Sequence, residues 1–275
     1  MKLTVSMASY DDYDGTYFTI QALRLYHPNH QFEIIVLDNN PQSPHGAELR
    51  RLVRDVPNMR LIPVEDRRTS FVKYDTFNHA TGDIIIGLDC HVLLNPGFFD
   101  HVVEFYEKNP DSMDLLTGPL LYDGLRSVST HMEPKWRGQD FGCWATDKAG
   151  METGAPFEVP MQGMGCFCFR RSAWKGIHAR FDSFGAEEWY VAEKVRSWGG
   201  RVMCHPEMKW VHRFGWPKRT FPMSLDTKMF NYYLGWLEVY KTCEHPAIQE
   251  MTQHWLTLVG ETTLEKVIRR AEVAL

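Results

Sequence analysis

Four short strand-like runs, Leu3–Met7, Phe32–Leu37, Met59–Val64 and Asp83–Leu88, punctuate the first third of the chain. Between them the apolar residues recur with helical spacing, over Gly15–Tyr26, Pro44–Val53 and Phe71–Ala80. Short runs of branched residues read as strands, and strand alternating with helix is the signature of βαβ units. The pattern predicts an α/β protein with a mainly parallel sheet flanked by helices. In such sheets ligands sit beyond the carboxyl ends of the strands. That directs attention to the polar residues after each run: Ala8-Ser9-Tyr10-Asp11, Asp38-Asn39-Asn40 and Asp89-Cys90-His91.

From Asp123 to Pro160 the periodicity breaks, in a Gly- and Pro-containing stretch that also holds Trp136 and Trp144. Loops of this length inside a domain are usually functional or mobile. Order returns with a strand over Gly163–Phe169, a short helix near Ser172–Gly176 and a helix over Glu187–Trp198, stopped by Gly199-Gly200. A strand pair, Arg201–Cys204 and Met208–His212, precedes the basic, Pro-containing segment Arg213–Leu225. Helices are predicted at Asp226–Lys241, Ala247–Val259 and Thr263–Val273. With no repeat and no linker, the expected organisation is one unit over residues 1–241 and a C-terminal helical extension of it over 242–275.

Composition narrows the class. The chain has 275 residues, 30 Lys plus Arg against 35 Asp plus Glu, a net charge of −5 and 44% hydrophobic residues, which excludes a disordered chain. Its longest apolar runs, Ile84–Leu88 and Leu115–Tyr122, fall far short of the roughly 20 residues that cross a bilayer. The N-terminus has one Lys followed by strand-like alternation, so no signal peptide is expected. Six cysteines without C-x-x-C spacing suit reduced thiols, and the expected location is cytoplasmic. Cys166 and Cys168 alternate on a predicted strand and read as small buried hydrophobes rather than a metal pair.

Candidate chemistry begins at the strand Ile84-Ile85-Ile86-Gly87-Leu88-Asp89-Cys90-His91. A buried strand ending in D-x-H delivers two ligands to one side of the sheet rim, although a turn cap and a surface His give the same spacing. A third candidate, His212, ends a later strand. An Asp, His, His set with open positions suits manganese or magnesium held against a diphosphate. The second candidate is Asp182-Ser183-Phe184-Gly185-Ala186-Glu187-Glu188-Trp189. Two carboxylates at a helix N-terminus are favoured by the dipole alone. Glu187 and Glu188 cannot share a helical face, however, so one could bind an acceptor hydroxyl while the other takes its proton.

These residues, in this order, resemble the GT-A (Rossmann-like) glycosyltransferases of the family 2-like superfamily, most closely the catalytic domain of polypeptide N-acetylgalactosaminyltransferases. The matching stretches are Phe32–Asn39, Gly82–Phe98, Pro156–Trp174, Phe181–Gly200 and Val211–Phe214. The resemblance implies that Asp89, His91 and His212 hold Mn2+ or Mg2+ on the donor diphosphate. It implies that Ala8, Ser9, Tyr10 and Asp38 meet the nucleotide base, most often uracil. Lys73 stands where the family usually has an Arg near the donor, and Asn78 follows in the same predicted helix. Gly163 and Gly165 match a Gly-rich strand passing under the sugar. Glu187 matches the Glu of the family's G-x-E-x helix start. Glu188 departs from the polypeptide transferases, which have Asn there, whereas inverting GT-A enzymes carry an Asp base at that place. The segment after Arg213 matches a loop that folds over the donor, with Trp216 as its apolar plug and with Arg213 and Trp189 on the lid and acceptor side.

The resemblance implies a metal-dependent transfer of a sugar from a nucleotide-sugar donor, a UDP-sugar first, to an acceptor hydroxyl. A glycan, a lipid-linked sugar, a protein, a metabolite or a hydroxylated base of nucleic acid, as in phage-type DNA glycosylation, would each serve as acceptor. Lys135-Trp136-Arg137, Lys209-Trp210, Arg213 and Trp216-Pro217-Lys218-Arg219 interleave cations with aromatics as a nucleic-acid groove does, while the net charge of −5 argues the other way. Two rivals fall short. A nucleotidyltransferase would show a Gly-rich phosphate loop, which Ser6–Asp14 lacks, and a non-catalytic sugar-binding protein would not need Asp89, His91, His212 and Glu188 together.

Overall fold

A computed structural model describes residues 1–214 and 223–275. The chain runs β1 (Leu3–Ser9), α1 (Tyr13–Tyr26), β2 (Phe32–Asp38), α2 (Pro44–Asp55), β3 (Met59–Pro63), α3 (Thr76–His79), β4 (Ile84–Asp89), β5 (Val92–Leu94) and α4 (Phe98–Lys108). It continues through β6 (Leu115–Thr117), β7 (Leu120–Leu121), β8 (Val128–Ser129), β9 (His131–Arg137), β10 (Asp140–Ala145), α5 (Lys148–Glu152), β11 (Phe157–Glu158) and β12 (Cys166–Arg170). Then come α6 (Glu187–Ser197), β13 (Val202–Cys204), β14 (Trp210–His212), α7 (Leu225–Tyr240), α8 (Pro246–Val259) and α9 (Glu261–Ala274).

The main sheet has eight strands in the order β11-β13-β6-β12-β4-β1-β2-β3. Neighbours β4, β1, β2 and β3 are parallel, as the βαβ alternation predicts, and β12 runs antiparallel between β4 and β6. Alternation of side chains along the strands divides the core into two layers. Ile34, Val36, Ile84, Ile86, Cys166 and Cys168 face α1, α2 and α4. Ile35, Leu37, Ile85, Phe167 and Phe169 face α6 and the C-terminal helices. Both Cys166 and Cys168 are thus buried thiols, and burial pushes their pKa values up. In the strand core, Gly87 is required by contact: a Cβ there would lie 2.3 Å from the Phe167 ring that crosses it. Trp255, Ile248, Leu264 and Val267 from α8 and α9 join the same apolar cluster as α6 and α7. None of the described helices is long and apolar enough to cross a membrane.

Several local expectations are corrected. Phe71–Ala80 is not one helix but a 3-10 segment over Ser70–Asp75 followed by the four-residue α3. The expected helix near Ser172–Gly176 is a single 3-10 turn, Arg171–Ala173. Two predicted partners, the strands before and after His205, do not pair with each other: β13 joins β6 in the main sheet, while β14 pairs β5 and β7 in a separate four-stranded sheet with β8. The aperiodic stretch after Asp123 contains an antiparallel hairpin, β9 with β10, whose register shifts at Gly142. A bulge of this kind breaks the period-two alternation that marks a strand.

Candidate active site

The carboxyl ends of β1, β2 and β4 deliver polar residues to one rim of the main sheet, with Ser9 opposite Asp38 and Ala8 opposite Asp89. His91 follows Asp89 by two residues. His212 is brought in by the small sheet, because antiparallel pairing of β14 on β5 sets His212 opposite Val92, the residue after His91. The Nε2 atom of His212 lies 3.2 Å from Asp89 Oδ2 and 3.2 Å from His91 Nε2. One ligand atom from each of Asp89, His91 and His212 falls within 4.8 Å of the others. One carboxylate oxygen and two imidazole nitrogens converging in this way fit a divalent cation of the manganese type. Gly165 closes the cluster from below: its carbonyl accepts the Asp89 N–H at 2.8 Å, and a Cβ there would lie 3.1 Å from Asp89 Oδ2 and 3.4 Å from the His212 ring.

Beside this cluster lies a buried ion pair. Lys73 Nζ donates to Glu187 Oε1 at 2.8 Å, to the Met164 carbonyl at 3.2 Å and to Asp89 Oδ1 at 3.4 Å. Burial works against the Lys73 charge, but Asp89 and Glu187 outweigh it and hold the ammonium protonated. Burial likewise opposes ionisation of Asp89, yet Lys73 and the hydrogen-bonded His212 keep its carboxyl well below the usual range. Glu187 is pushed up by burial, against the pull of Lys73. Glu188, one residue on and half-buried, is pushed up to about 7 by burial and by the neighbouring Glu187 charge. Helix α6, which carries both, is preceded by Ala186, whose φ of 77° is left-handed, a strained turn after which Glu187 reaches Lys73.

Removing the Lys73 charge strands Glu187, since its remaining hydrogen-bond partner is Ser70 Oγ at 3.4 Å. Breaking a buried pair from one side typically costs about 3–5 kcal/mol, less whatever Glu187 recovers by taking a proton. Lys73→Met is therefore expected to lower the midpoint of chemical denaturation markedly, and Lys73→Met with Glu187→Gln to recover most of the loss. An unchanged midpoint in the single variant would show the pair contributes nothing to folding.

The sequence-predicted residues divide. Asp89, His91, His212, Lys73, Glu187 and Gly165 meet in one cluster, and Glu188 adjoins it. Asp38 is buried at the end of β2; its Oδ1 accepts the Asn40 N–H at 3.1 Å, while Oδ2 lies near Gly46 without a hydrogen-bond partner among the described residues. Its carboxyl is raised chiefly by burial. Ala8, Ser9 and Tyr10 close β1 on the same rim. Gly163 lies under the Trp144 indole, which a Cβ would meet at 2.3 Å. Asn78 is not brought to the cluster. It is exposed in α3 beside His79, whose carbonyl accepts from Arg60; Arg60 also binds Glu33 near the start of β2, at the opposite edge of the sheet. Trp189 turns the other way as well, packed on Phe141 and Trp236 and donating its N–H to Tyr240 at 2.9 Å. Trp216 lies outside the described residues.

The interleaved cations and aromatics also change meaning. Trp210 is buried with its N–H on the Gly118 carbonyl, and Trp136 stacks on His254 inside an aromatic group with Phe141 and Tyr232. Neither indole is presented to a nucleic-acid strand. One site residue went unnoticed in the sequence, Asp12. It caps α1 and also contacts His91 and Arg213, and its sequence signal was an N-cap Asp that any helix would carry.

Comparison with known proteins accords with this architecture. Among solved structures the chain is similar to GalNAc-T7 with UDP, GalNAc and Mn2+, at a TM-score of 0.72 and 14% identity over 99% of this chain and 54% of that one. The chain thus spans about half the length of that relative. It is also similar to the mannosyltransferase PcManGT of Pyrobaculum calidifontis in complex with GDP-Man and Mn2+, at 0.55 and 17% over 99% and 74%. A third is TarS of S. aureus in complex with UDP-GlcNAc, at 0.59 and 13% over 98% and 79%. No curated protein sequence matches the chain. The model of the family described as "Glycosyl transferase family 2" matches residues 4–175, well over half of the chain, and with that span carrying the sheet rim, Lys73, Asp89 and His91, the chain belongs to glycosyl transferase family 2.

Proposed function

We propose that this chain transfers a sugar from a UDP-sugar to an acceptor hydroxyl, in a metal-dependent reaction in which Glu188 is the general base. The observation that carries this reading is the convergence of Asp89, His91 and His212 at the rim where the strands of the sheet end. Those three residues would hold Mn2+ or Mg2+, and the ion supplies charge neutralisation for a diphosphate leaving group. Residues 1–241 would form the catalytic part, with 242–275 as its helical extension.

The chain's own groups have separable tasks. Asp38, opposite Ser9 at the end of β2, would meet the base together with Ser9 and Tyr10. Lys73 places a buried positive charge between Asp89 and Glu187, where charge develops as the glycosidic bond breaks. Its pairing also keeps Glu187 in place to contact sugar or acceptor. Gly165 leaves the floor beside Asp89 free of a side chain. Glu188 at about 7 is matched to its task, since a base works best when its pKa lies near the working pH. A base that deprotonates the attacking hydroxyl suits direct displacement, and hence inversion at the anomeric carbon. Cysteines spaced without a C-x-x-C pattern would suit a reducing, cytoplasmic compartment.

The test is acceptor-free hydrolysis of a panel of nucleotide sugars, read as released nucleoside diphosphate with and without Mn2+. Release from one UDP-sugar, lost on chelation and regained with Mn2+, is the expected result and names the donor. An acceptor screen over glycans, proteins, metabolites and hydroxymethylated DNA follows from that donor. Absence of release across the panel would sink the reading, and binding without release would favour a non-catalytic binding protein.

A further inference from the structure

We infer that Asp12 is a positioning residue that sets both imidazoles of the cluster, fixing the tautomer of His91 and the placement of His212; the link to metal binding rests on the function proposed above. Asp12 is buried at the N-cap of α1, and its carboxylate gathers groups from three parts of the chain. Oδ1 accepts the Gly15 N–H at 3.0 Å and Arg213 Nη2 at 3.0 Å. Oδ2 lies 2.8 Å from His91 Nδ1, 3.2 Å from Arg213 Nη2 and 3.5 Å from Cys90 Sγ.

An ionised carboxylate only accepts hydrogen bonds, so every partner around it must present a proton. His91 therefore carries its proton on Nδ1. In the neutral ring this leaves Nε2 as the lone-pair nitrogen, and Nε2 is the atom that faces His212 and adjoins Asp89. Carboxylates that take the far N–H of a ligating imidazole fix both its tautomer and its orientation. The second imidazole is set through the backbone. Arg213 is the residue after His212, and its guanidinium is held on Asp12 while its N–H is given to the His91 carbonyl at 3.3 Å. One carboxylate thus ties the start of α1, the D-x-H segment and the end of β14 together.

The discriminating variant is Asp12→Asn. Asn is as good an N-cap as Asp, so the start of α1 is preserved. Its amide, however, has one acceptor oxygen and one donor nitrogen, and with the oxygen kept on the Gly15 N–H as the cap, the N–H group takes the place of Oδ2 and faces His91 Nδ1. Two readouts apply, neither of them activity. Long-range proton–nitrogen NMR of the metal-free protein, with His91 assigned through His91→Gln, is expected to show Nδ1–H in the wild type and a shift toward Nε2–H in Asp12→Asn. Titration with Mn2+, followed by electron paramagnetic resonance, is expected to show binding weakened about 10–100-fold in the variant.

A wild-type His91 protonated on Nε2 would overturn the inference, as would Asp12→Asn that keeps both the wild-type tautomer and Mn2+ affinity within two-fold. If the tautomer shifts as expected but the wild type binds no Mn2+, Asp12 stands as the positioning residue and the metal-dependent function falls.

Discussion

Asp89→Ala is expected to abolish manganese-dependent release of nucleoside diphosphate, with a fall of at least about 1,000-fold, because a metal contributes several kcal/mol of charge stabilisation and each 1.36 kcal/mol is tenfold in rate. Asp89 would supply the one carboxylate among the three candidate ligands, and two imidazoles alone make a poor site for a cation that prefers oxygen. The fold should survive, because Lys73 keeps Glu187 as its nearer partner at 2.8 Å. The measurement is a Mn2+ titration of donor turnover, with circular dichroism as the control for folding. A variant that folds and retains a tenth of wild-type turnover at saturating Mn2+ would exclude Asp89 from the metal site.

Glu188→Gln separates binding from chemistry. The amide keeps the shape of the side chain and removes its ability to take a proton, so transfer is expected to fall about 100- to 10,000-fold while Mn2+-dependent donor binding changes little. The wild type should show a pH profile set by the same group. The base is the ionised form, so transfer rises with pH up to about 7 and levels above it. The stability consequence has the opposite sense. Between 4.5 and about 7 the folded chain retains a proton that the unfolded chain has released, so the contribution of this group is fully present below 4.5 and is lost as pH rises through about 7. Full transfer activity in Glu188→Gln would remove the base assignment and favour a retaining mechanism.

Legibility differed from element to element. The parallel half of the sheet was plain, because Ile34–Leu37 and Ile84–Leu88 are unbroken apolar runs buried on both faces and Leu3, Val5 and Met7 alternate along β1. Helix α4 has a helical period in the sequence as well, with Phe98, Phe99, Val102, Phe105 and Tyr106 on one buried face. Hairpin β9–β10 escaped for a physical reason: a bulge and mixed exposure leave no period to find. The same division holds at the site. Asp89 and His91 are two residues apart on a strand end, a local pattern. Trp189 and Asn78 are near the site residues in sequence but not in space, since helix phase turns Trp189 into the α6–α7 contact and a break after Asp75 carries Asn78 away.

The sequence by itself determined the α/β class, the strand ends that bear Asp38, Asp89 and His91, and the carboxylates at the start of α6, since each depends on spacing within one element. Only the tertiary structure decided that His212 pairs beside Val92 and so reaches Asp89, that Lys73 bridges Asp89 and Glu187, and that Asp12 lies under His91. Those contacts join residues from 16 to 123 positions apart. The physical reason is that an ion pair or a hydrogen bond between distant segments leaves no periodic trace in either segment; it exists only once β14, the Ser70–Asp75 segment, α6 and the start of α1 are packed at the sheet rim.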